Sequence, residues 1–311
     1  MNRSNIKIGT RGSKLALWQA NWIKSELNKN TPSLLIEIVV IKTKGDKILD
    51  VPLAKVGGKG LFVKEIEEAL LDRRIDLAVH SMKDMPADLP EGLCIGPVPK
   101  REIPADVLIS KNGLRLSELE PQARIGTSSL RRASQIKHAK PGFIILPLRG
   151  NLDTRLKKLE TDDLDAIVLA AAGVKRLNLE KRITEYLDYD IMLPAVGQGA
   201  LCIEIRKNDP EIEKIISKLN HPGTRAVVMG ERAFLRTLGG SCQVPVAAYG
   251  EVNKNNFTLR GLVADIDGKI IIKETITGPE DSSESLGIKL AQRLLLMGAD
   301  KILEKLKANE Q

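Results

Sequence analysis

The sequence predicts two α/β domains followed by a small α+β domain with an antiparallel three-stranded sheet. Three observations support this fold class. Before His221, apolar runs typical of strands alternate with amphipathic runs typical of helices. A set of short motifs occurs twice in the same order, and after His221 strand-like runs follow one another with tight turns between them. A chain of 311 residues is also too long for a single ordinary core.

The first domain is predicted over residues 1–100. Its elements alternate along the chain in the order strand Ile6–Gly9, helix Leu15–Leu27, strand Ile36–Lys42, helix Phe62–Leu71 and strand Asp76–His80. This alternation implies right-handed crossovers and a mostly parallel sheet. The Gly- and Lys-rich stretch from Thr43 to Gly60 is too long for a tight connection, and we interpret it as a mobile lid that carries Lys55 and Lys59.

The second domain is predicted over residues 101–199, and its strands and helices are predicted to alternate as in the first. The motif IGTSS at 125–129 echoes IGTRGS at 8–13, and a helix follows both. The strand Ile144–Leu148 ends in Arg-Gly much as Val39–Thr43 ends in Lys-Gly, and DAIVL from Asp165 echoes DLAVH from Asp76. Three echoes in one order predict two similar domains, which would be consistent with a duplication.

A Gly-rich crossing and an alternating strand at Pro194–Arg206 are expected to return the chain to the first domain, which then includes residues 200–218. The third domain is predicted over residues 219–311. Its expected elements after a first helix and a Gly-Gly loop are strands near Val244–Val252, Phe257–Asp265 and Lys269–Thr277 and a helix Ser283–Met297. Asp267-Gly268 is a strong signal for a hairpin turn.

The composition favours small anions as ligands. A net charge of +8 is compatible with nucleic acid, a membrane surface or small anions as partners. Two Trp, three Tyr and four Phe leave few side chains for base stacking. No run approaches the roughly 18–20 apolar residues of a membrane span, and the N-terminus lacks the apolar core of a signal peptide. We therefore expect a cytoplasmic protein with no nucleic-acid or membrane partner, and a monomer because no large apolar face is evident.

Two turns place Thr and Ser where a helix begins, and helix N-termini bind anions through unpaired N–H groups. Ser13 and Ser129 could be simple helix caps. Arginines in the same turns favour an anion site: Arg11 in the first turn, Arg131 and Arg132 in the second.

A third cluster of basic residues follows a strand. Arg149 comes directly after the strand and Arg155 lies six residues later. The carboxyl edge of an open α/β sheet is where ligands bind, and the planar guanidinium suits carboxylate or phosphate. We expect these arginines to bind an anion.

The motif HSMKDMP follows the last strand of the first domain. Asp84 would be a lone carboxylate among cations, which favours its ionised form and suits it to stabilise a cationic intermediate or to exchange protons. It could instead form a structural ion pair with Lys83 or an arginine. We interpret His80 as a packed residue at the end of a strand.

Three cysteines without a CxxC pair and three scattered histidines argue against a disulfide framework and against a metal site. Cys94 and Cys202 lie in apolar or alternating stretches and are interpreted as core residues. Cys242 differs because it sits in LGGSCQVP, a flexible loop from which a thiol can reach a cleft. Position alone leaves its role open between a core and a covalent one.

Six motifs, in order, resemble those of the porphobilinogen deaminase (hydroxymethylbilane synthase) family: IGTRGSKLALWQ, HSMKDMP, GTSSLRR, LRGN with an arginine four residues on, PAVGQGAL and LGGSCQVP. They span nearly the whole chain. The resemblance implies that the first two domains are periplasmic-binding-protein-like, with the active site between them. It implies a transferase of tetrapyrrole (haem) biosynthesis that joins four porphobilinogen molecules head to tail, releases ammonia each time, and then hydrolyses the product to hydroxymethylbilane.

The resemblance also implies a dipyrromethane cofactor joined by a thioether to Cys242, and a catalytic role for Asp84. The family's carboxylate-binding residues, which would hold cofactor or substrate, match Arg11, Ser13, Ser81, Lys83, Thr127, Ser129, Arg131, Arg132, Arg149, Gly150 and Arg155. Supporting positions match Arg176, Gln198 and the lid residues Lys55 and Lys59. The family needs no metal.

Two rival functions share some of these features. A non-catalytic two-lobed anion-binding protein would have the same α/β domains and anion turns, but it gives no reason for the third domain, the looped Cys242 or Asp84. A nucleic-acid binder would account for the charge of +8, but not for the scarcity of aromatic residues.

Overall fold

The computed structural model of the protein describes residues 3–47, 63–240 and 244–308. The chain forms two compact units: the first contains Met1–Glu102 and Ala200–Arg225, and the second contains Ile103–Gly199 and Ala226–Gln311. The first unit holds one five-stranded sheet, and the second holds a five-stranded and a three-stranded sheet. The predicted fold class of two α/β domains and an α+β domain is confirmed. The three domain boundaries remain a prediction.

The first sheet has the strand order β2-β1-β3-β10-β4. Its strands are β1 (Asn5–Thr10), β2 (Leu35–Val40), β3 (Leu77–Ser81), β4 (Leu93–Ile95) and β10 (Leu201–Arg206). β1 runs parallel to β2 and β3, whereas β10 runs antiparallel to β3 and β4. Four of the five strands, β1 to β4, therefore run in one direction, which confirms the prediction of a mostly parallel sheet, and β10, which returns from the second unit, runs in the opposite direction. β10 lies within the segment predicted to return the chain to the first domain.

Helices cover both faces of the first sheet. They are α1 (Lys14–Asn30), α2 (Lys44–Lys47), α3 (Lys64–Leu71) and α7 (Pro210–Ile216), with a 3₁₀ turn at Met82–Asp84. One face buries α1 residues such as Ile23 against Leu77 and Ile203, and the other buries α3 residues such as Ile66 and Leu70. Because β3 is covered on both sides, it is fully apolar at its start, and its last residues emerge at the carboxyl edge.

The second sheet has the order β7-β6-β8-β5-β9, which repeats the topology of the first. Its strands are β5 (Asp106–Ser110), β6 (Arg124–Gly126), β7 (Ile144–Leu146), β8 (Ala166–Ala170) and β9 (Glu185–Tyr186), and its helices are α4 (Leu130–Ala139), α5 (Leu152–Thr161) and α6 (Ala171–Arg176). β6 is parallel to β7 and β8, and β5 is antiparallel to β8 and β9. The two α/β sheets are thus similar, as the repeated motifs predicted.

The third sheet is the antiparallel meander β11 (Val246–Asn253), β12 (Asn256–Ala264) and β13 (Ile271–Pro279). The predicted hairpin at Asp267-Gly268 connects β12 to β13, which confirms it. Two helices, α8 (Pro222–Thr237) and α9 (Ser283–Leu294), pack against this sheet around Phe234, Phe257 and Leu290.

The helices α8 and α9 meet backbone to backbone, because a Cβ on Gly287 would lie 2.2 Å from the Gly230 carbonyl oxygen. The predicted last helix, Ser283–Met297, is confirmed as an α-helix as far as Leu294, where α9 ends. A wide turn at Leu295–Ala299 leads into α10 (Asp300–Ala308), and Gly298 adopts φ +105° within that turn. The predicted helix therefore ends within this turn, and α10 lies beyond it.

Candidate active site

The predicted site residues of each unit cluster where strands end. In the first unit they follow β1 and β3, which are parallel neighbours, and in the second unit they follow β6, β7 and β8. The carboxyl ends of parallel strands meet at one edge of a sheet. In each unit, the described site residues therefore follow strands that end at one edge of the sheet.

The turn from β1 into α1 is a capped helix N-terminus. The Ser13 hydroxyl accepts a hydrogen bond from the Ala16 amide at 3.2 Å, and the Thr10 hydroxyl donates to the Ala16 carbonyl oxygen at 3.2 Å. Ser13 is therefore a helix cap, the simpler of its two interpretations. Capping leaves other N–H groups of the first turn available, so an additional role in anion binding is compatible with it. Arg11 lies half-buried in the same turn.

The motif after β3 is anchored on two sides. Ser81 accepts a hydrogen bond from the Gln19 side-chain amide at 2.8 Å, and the Met82 amide donates to the Ala200 carbonyl oxygen at 3.0 Å. The 3₁₀ turn then presents a half-buried Lys83 and an exposed Asp84. Within the described part of the chain, no hydrogen bond or ion pair holds the Asp84 carboxylate, so the structural ion pair considered for it is not formed there. An exposed carboxylate is accessible to a substrate.

His80 is a packed residue, which confirms its interpretation. It is 5% exposed, and its Nε2 lies 3.1 Å from Oε2 of Glu204 on β10, which is fully buried. Glu67 of α3 is the third member of this buried polar cluster. Burial first, then the charges of Glu204 and Glu68, raise the pKa of Glu67 from 4.5 to about 7.

The turn from β6 into α4 resembles the one after β1. Ser129 accepts from the Arg132 amide at 3.4 Å, and the Thr127 hydroxyl accepts from the Ser129 amide at 3.1 Å. Ser129 is thus a helix cap as well. As at Ser13, this cap leaves other N–H groups of the first turn available, and the dipole of the ten-residue α4 favours an anion at this end.

Arg131 and Arg132 lie on the buried side of α4, where both are bound to Asp106 of β5. The Asp106 carboxylate is fully buried and accepts from Arg131 Nη1 at 2.7 Å and from Arg132 Nε at 2.9 Å. Arg131 also donates to the Leu193 carbonyl oxygen, and Arg132 to that of Val168. Burial lowers the pKa of Arg131, which Asp106 counteracts. Two guanidinium groups share one carboxylate, so this cluster keeps a net positive charge.

The cluster after β7 is built around a glycine. Gly150 adopts φ +108°, where a Cβ would lie 2.6 Å from Thr154 Cγ2, so no other residue fits without strain. Its carbonyl oxygen accepts a hydrogen bond from Arg155 Nε at 2.8 Å, which fixes the guanidinium group of Arg155. Arg149 and Arg155 are both half-buried. Asn151 caps α5.

Arg176 and Gln198 are buried, and each donates a hydrogen bond to a backbone carbonyl that lies close in sequence to a boundary between the two units. Arg176 Nη2 donates to the Gly199 carbonyl oxygen at 2.7 Å, and Gln198 Nε2 donates to the Pro104 carbonyl oxygen at 2.6 Å. Both contacts position backbone. Their roles toward a substrate stay predictions.

Three predicted residues, Cys242, Lys55 and Lys59, lie outside the described residues. Residues 3–47, 63–240 and 244–308 contain no cluster of His, Cys, Asp or Glu that could hold a metal ion. None of the helices in those ranges is both long and apolar enough to cross a membrane.

A family model described as "Porphobilinogen deaminase, dipyromethane cofactor binding domain" matches residues 6–214, and one for the C-terminal domain of porphobilinogen deaminase matches residues 226–296. The chain belongs to the porphobilinogen deaminase family. Curated porphobilinogen deaminases are similar over nearly their whole length: that of Syntrophotalea carbinolica is 54% identical, with 98% of this chain and 97% of the relative covered. That of Carboxydothermus hydrogenoformans is 53% identical, with 99% of this chain and 100% of the relative covered.

Solved structures similar to this member of the porphobilinogen deaminase family include a periplasmic VFT2 domain from Bordetella pertussis. It is 13% identical with a TM-score of 0.43, over 70% of this chain and 87% of that one. A probable amino-acid transporter extracellular-binding protein from Bacillus subtilis is 14% identical, also with a TM-score of 0.43, over 69% of this chain and 89% of that one. Similarity at this level carries no argument about the chain.

Sequence reasoning missed the buried partners of the site residues. Asp106 lies 25 residues from Arg131, and Glu204 lies 124 residues from His80. The available signal was a charged residue within an otherwise apolar strand, as in DVLIS and LCIEIR. A buried charge in such a strand needs a partner.

Proposed function

We propose that this chain catalyses the porphobilinogen deaminase reaction, in which four porphobilinogen molecules are joined head to tail with loss of one ammonia each, and water frees hydroxymethylbilane. The observation that carries the proposal is the cationic edge of the second sheet, which suits a multiply carboxylated ligand in a chain of this family. A non-catalytic anion-binding protein is not favoured, because family membership and the exposed Asp84 both point to catalysis.

The cofactor we propose is a dipyrromethane attached through a thioether to Cys242. When bound, it supplies the pyrrole carbon to which the first substrate is joined. The carboxylates of this cofactor need cations and N–H donors, and the second unit contains both. We assign the N–H donors to the α4 N-terminus at Thr127 and Ser129, and the cations to Arg149 and Arg155 and to the buried Arg131 and Arg132, with Gly150 shaping the turn. A permanent tether avoids repeated loss of binding entropy during chain growth.

Asp84 is the catalytic residue we propose. Loss of ammonia from porphobilinogen leaves a cation, and a carboxylate at the substrate's pyrrole N–H would stabilise it and exchange a proton. Lys83 and Ser81 of the same turn would bind carboxylates, as would Arg11 and Ser13 after β1. Arg176, Gln198, Lys55 and Lys59 are assigned supporting roles.

We further propose a cytoplasmic monomer with three domains. Three cysteines without a CxxC pair suit a reducing compartment. Light scattering coupled to size-exclusion chromatography tests the monomer: a mass near 34.1 kDa is expected, and twice that mass would contradict it.

Intact-mass spectrometry of the purified protein tests the proposed function directly. The active protein should be heavier than its sequence by two linked pyrrole units. Cys242→Ser should have the mass of the bare sequence and consume no porphobilinogen. Cys94→Ser is the matched control, because Cys94 is a partly buried strand residue, and it should keep both the added mass and the activity. An active protein without added mass would overturn the cofactor assignment.

A further inference from the structure

The side chain of Asp84 does not hold the 3₁₀ turn that carries it in place. In the ranges that the structure describes, nothing binds the Asp84 carboxylate, so its position depends on the backbone of the turn and on what holds that backbone. Among the contacts that hold it are the hydrogen bond of the Gln19 side chain to Ser81, that of the Met82 amide to the Ala200 carbonyl oxygen, and the buried pair of His80 with Glu204.

The pair of His80 and Glu204 is the anchor closest to the body of the sheet. His80 is opposite Cys202 in the antiparallel register of β3 and β10, so Glu204 reaches it diagonally across the ladder on the same face. The imidazole lies three residues before Lys83 and four before Asp84. A hydrogen bond to a fully buried carboxylate is worth more than an exposed one, because water does not compete with it.

A second buried carboxyl group lies beside this pair. Glu67 approaches from α3, and one carboxylate oxygen of Glu204 and one of Glu67 are buried without a hydrogen-bond partner in the described part of the chain. Burial and the charge of Glu204 raise the pKa of Glu67. Unsatisfied buried carboxyl oxygens are costly, so their retention beside the site calls for a role.

We infer that His80 and Glu204 are positioning residues for the proposed reaction: their buried hydrogen bond fixes the end of β3 and thereby the direction in which the next turn presents Asp84. This inference rests on the proposed function. A shift of the turn by even a fraction of an ångström would misplace the carboxylate relative to the reacting pyrrole, and such misplacements cost large factors in rate.

Four variants of the holoenzyme test this inference, each checked for its added cofactor mass and its urea-unfolding midpoint. His80→Leu should lower kcat by about 10- to 100-fold with KM for porphobilinogen within about twofold of the original. His80→Gln keeps a donor for Glu204 and should recover most of that loss. Because His80→Leu alone leaves Glu204 buried without its partner, the double variant His80→Leu/Glu204→Leu should recover stability but not kcat. Glu68→Gln, on the exposed side of α3, is the control.

A further double variant combines His80→Leu with Asp84→Asn and is compared with Asp84→Asn alone. If His80 acts through Asp84, its replacement should change the residual rate of Asp84→Asn by less than about twofold. Equal losses in both backgrounds, or a kcat that returns when stability returns, would overturn the inference. An original protein that consumes no porphobilinogen would instead overturn the proposed function.

Discussion

The two α/β sheets share one topology but bury opposite charge. Beneath the first sheet's site lie two carboxyl groups and one imidazole, those of Glu67, Glu204 and His80. Beneath the second lie two guanidinium groups and one carboxylate, those of Arg131, Arg132 and Asp106. The first arrangement sits behind a carboxylate, and the second sits behind a cationic edge. Two sheets of the same topology therefore differ in the charges buried beneath their carboxyl edges.

The largest effect is expected from Asp84→Asn, which removes the exposed charge of the first sheet's site. General acid–base groups contribute roughly 10²- to 10⁴-fold to rate, and kcat should fall by that factor with the fold intact. Initial rates of porphobilinogen consumption measure this. Asp72→Asn, an exposed carboxylate at the end of α3, should leave the rate unchanged. Near-normal turnover of Asp84→Asn would remove this residue from the mechanism.

The second sheet should instead respond in stability when its buried carboxylate is removed. Asp106→Asn leaves two buried guanidinium groups without a counter-charge, which costs about 3–5 kcal/mol of the free energy of unfolding. Urea denaturation at constant pH measures the loss. Asp163→Asn, an exposed partner of Arg124 with 85% of its side chain accessible, should cost under about 1 kcal/mol. Equal effects of the two variants would show that the buried pair adds nothing.

The first sheet should lose stability as pH rises through neutrality, because Glu67 has a raised pKa. Below pH 4.5 this carboxyl is protonated in both the folded and unfolded chain, and its contribution is fully present. Between pH 4.5 and about 7 only the unfolded chain ionises it, so stability is lost over that range.

Glu67→Gln should therefore match the original protein near pH 4.5 and exceed it by about 2–3 kcal/mol at pH 8. Denaturant titrations across this pH range check the prediction, with Asp72→Asn, an exposed carboxylate just after the same helix, as the control. A constant difference at all pH values would contradict the raised pKa.

The smallest effects are expected from the two helix caps. Ser13→Ala and Ser129→Ala each remove one hydrogen bond to a helix N-terminus and should cost about 1 kcal/mol of stability. If the caps also bind carboxylates as proposed, KM or cofactor retention should change in addition. Thermal unfolding and kinetics of both variants separate the two roles: loss of stability alone would leave each serine as a cap.

Local features of the site could be predicted from the sequence, and distant ones could not. Ser13, Ser129 and the arginines beside them were found because a helix start and its neighbours are contiguous in the chain. Asp106 and Glu204 were missed because partners of buried charges are chosen by the tertiary fold, at separations of 25 and 124 residues. The reversed direction of β10 belongs with these distant features: its pattern shows a strand, but only its origin in the second unit sets its antiparallel direction.

The place of β10 in the first sheet has a consequence for synthesis on the ribosome. This strand, Leu201–Arg206, lies between β3 and β4, and β4 has it as its pairing partner. The N-terminal hundred residues therefore leave the ribosome with an open sheet edge and with His80 lacking its carboxylate. All strands of the second sheet come from the contiguous stretch between Asp106 and Tyr186, so we expect it to be complete first. The part of the protein that is made earliest must wait for its middle before it can finish folding.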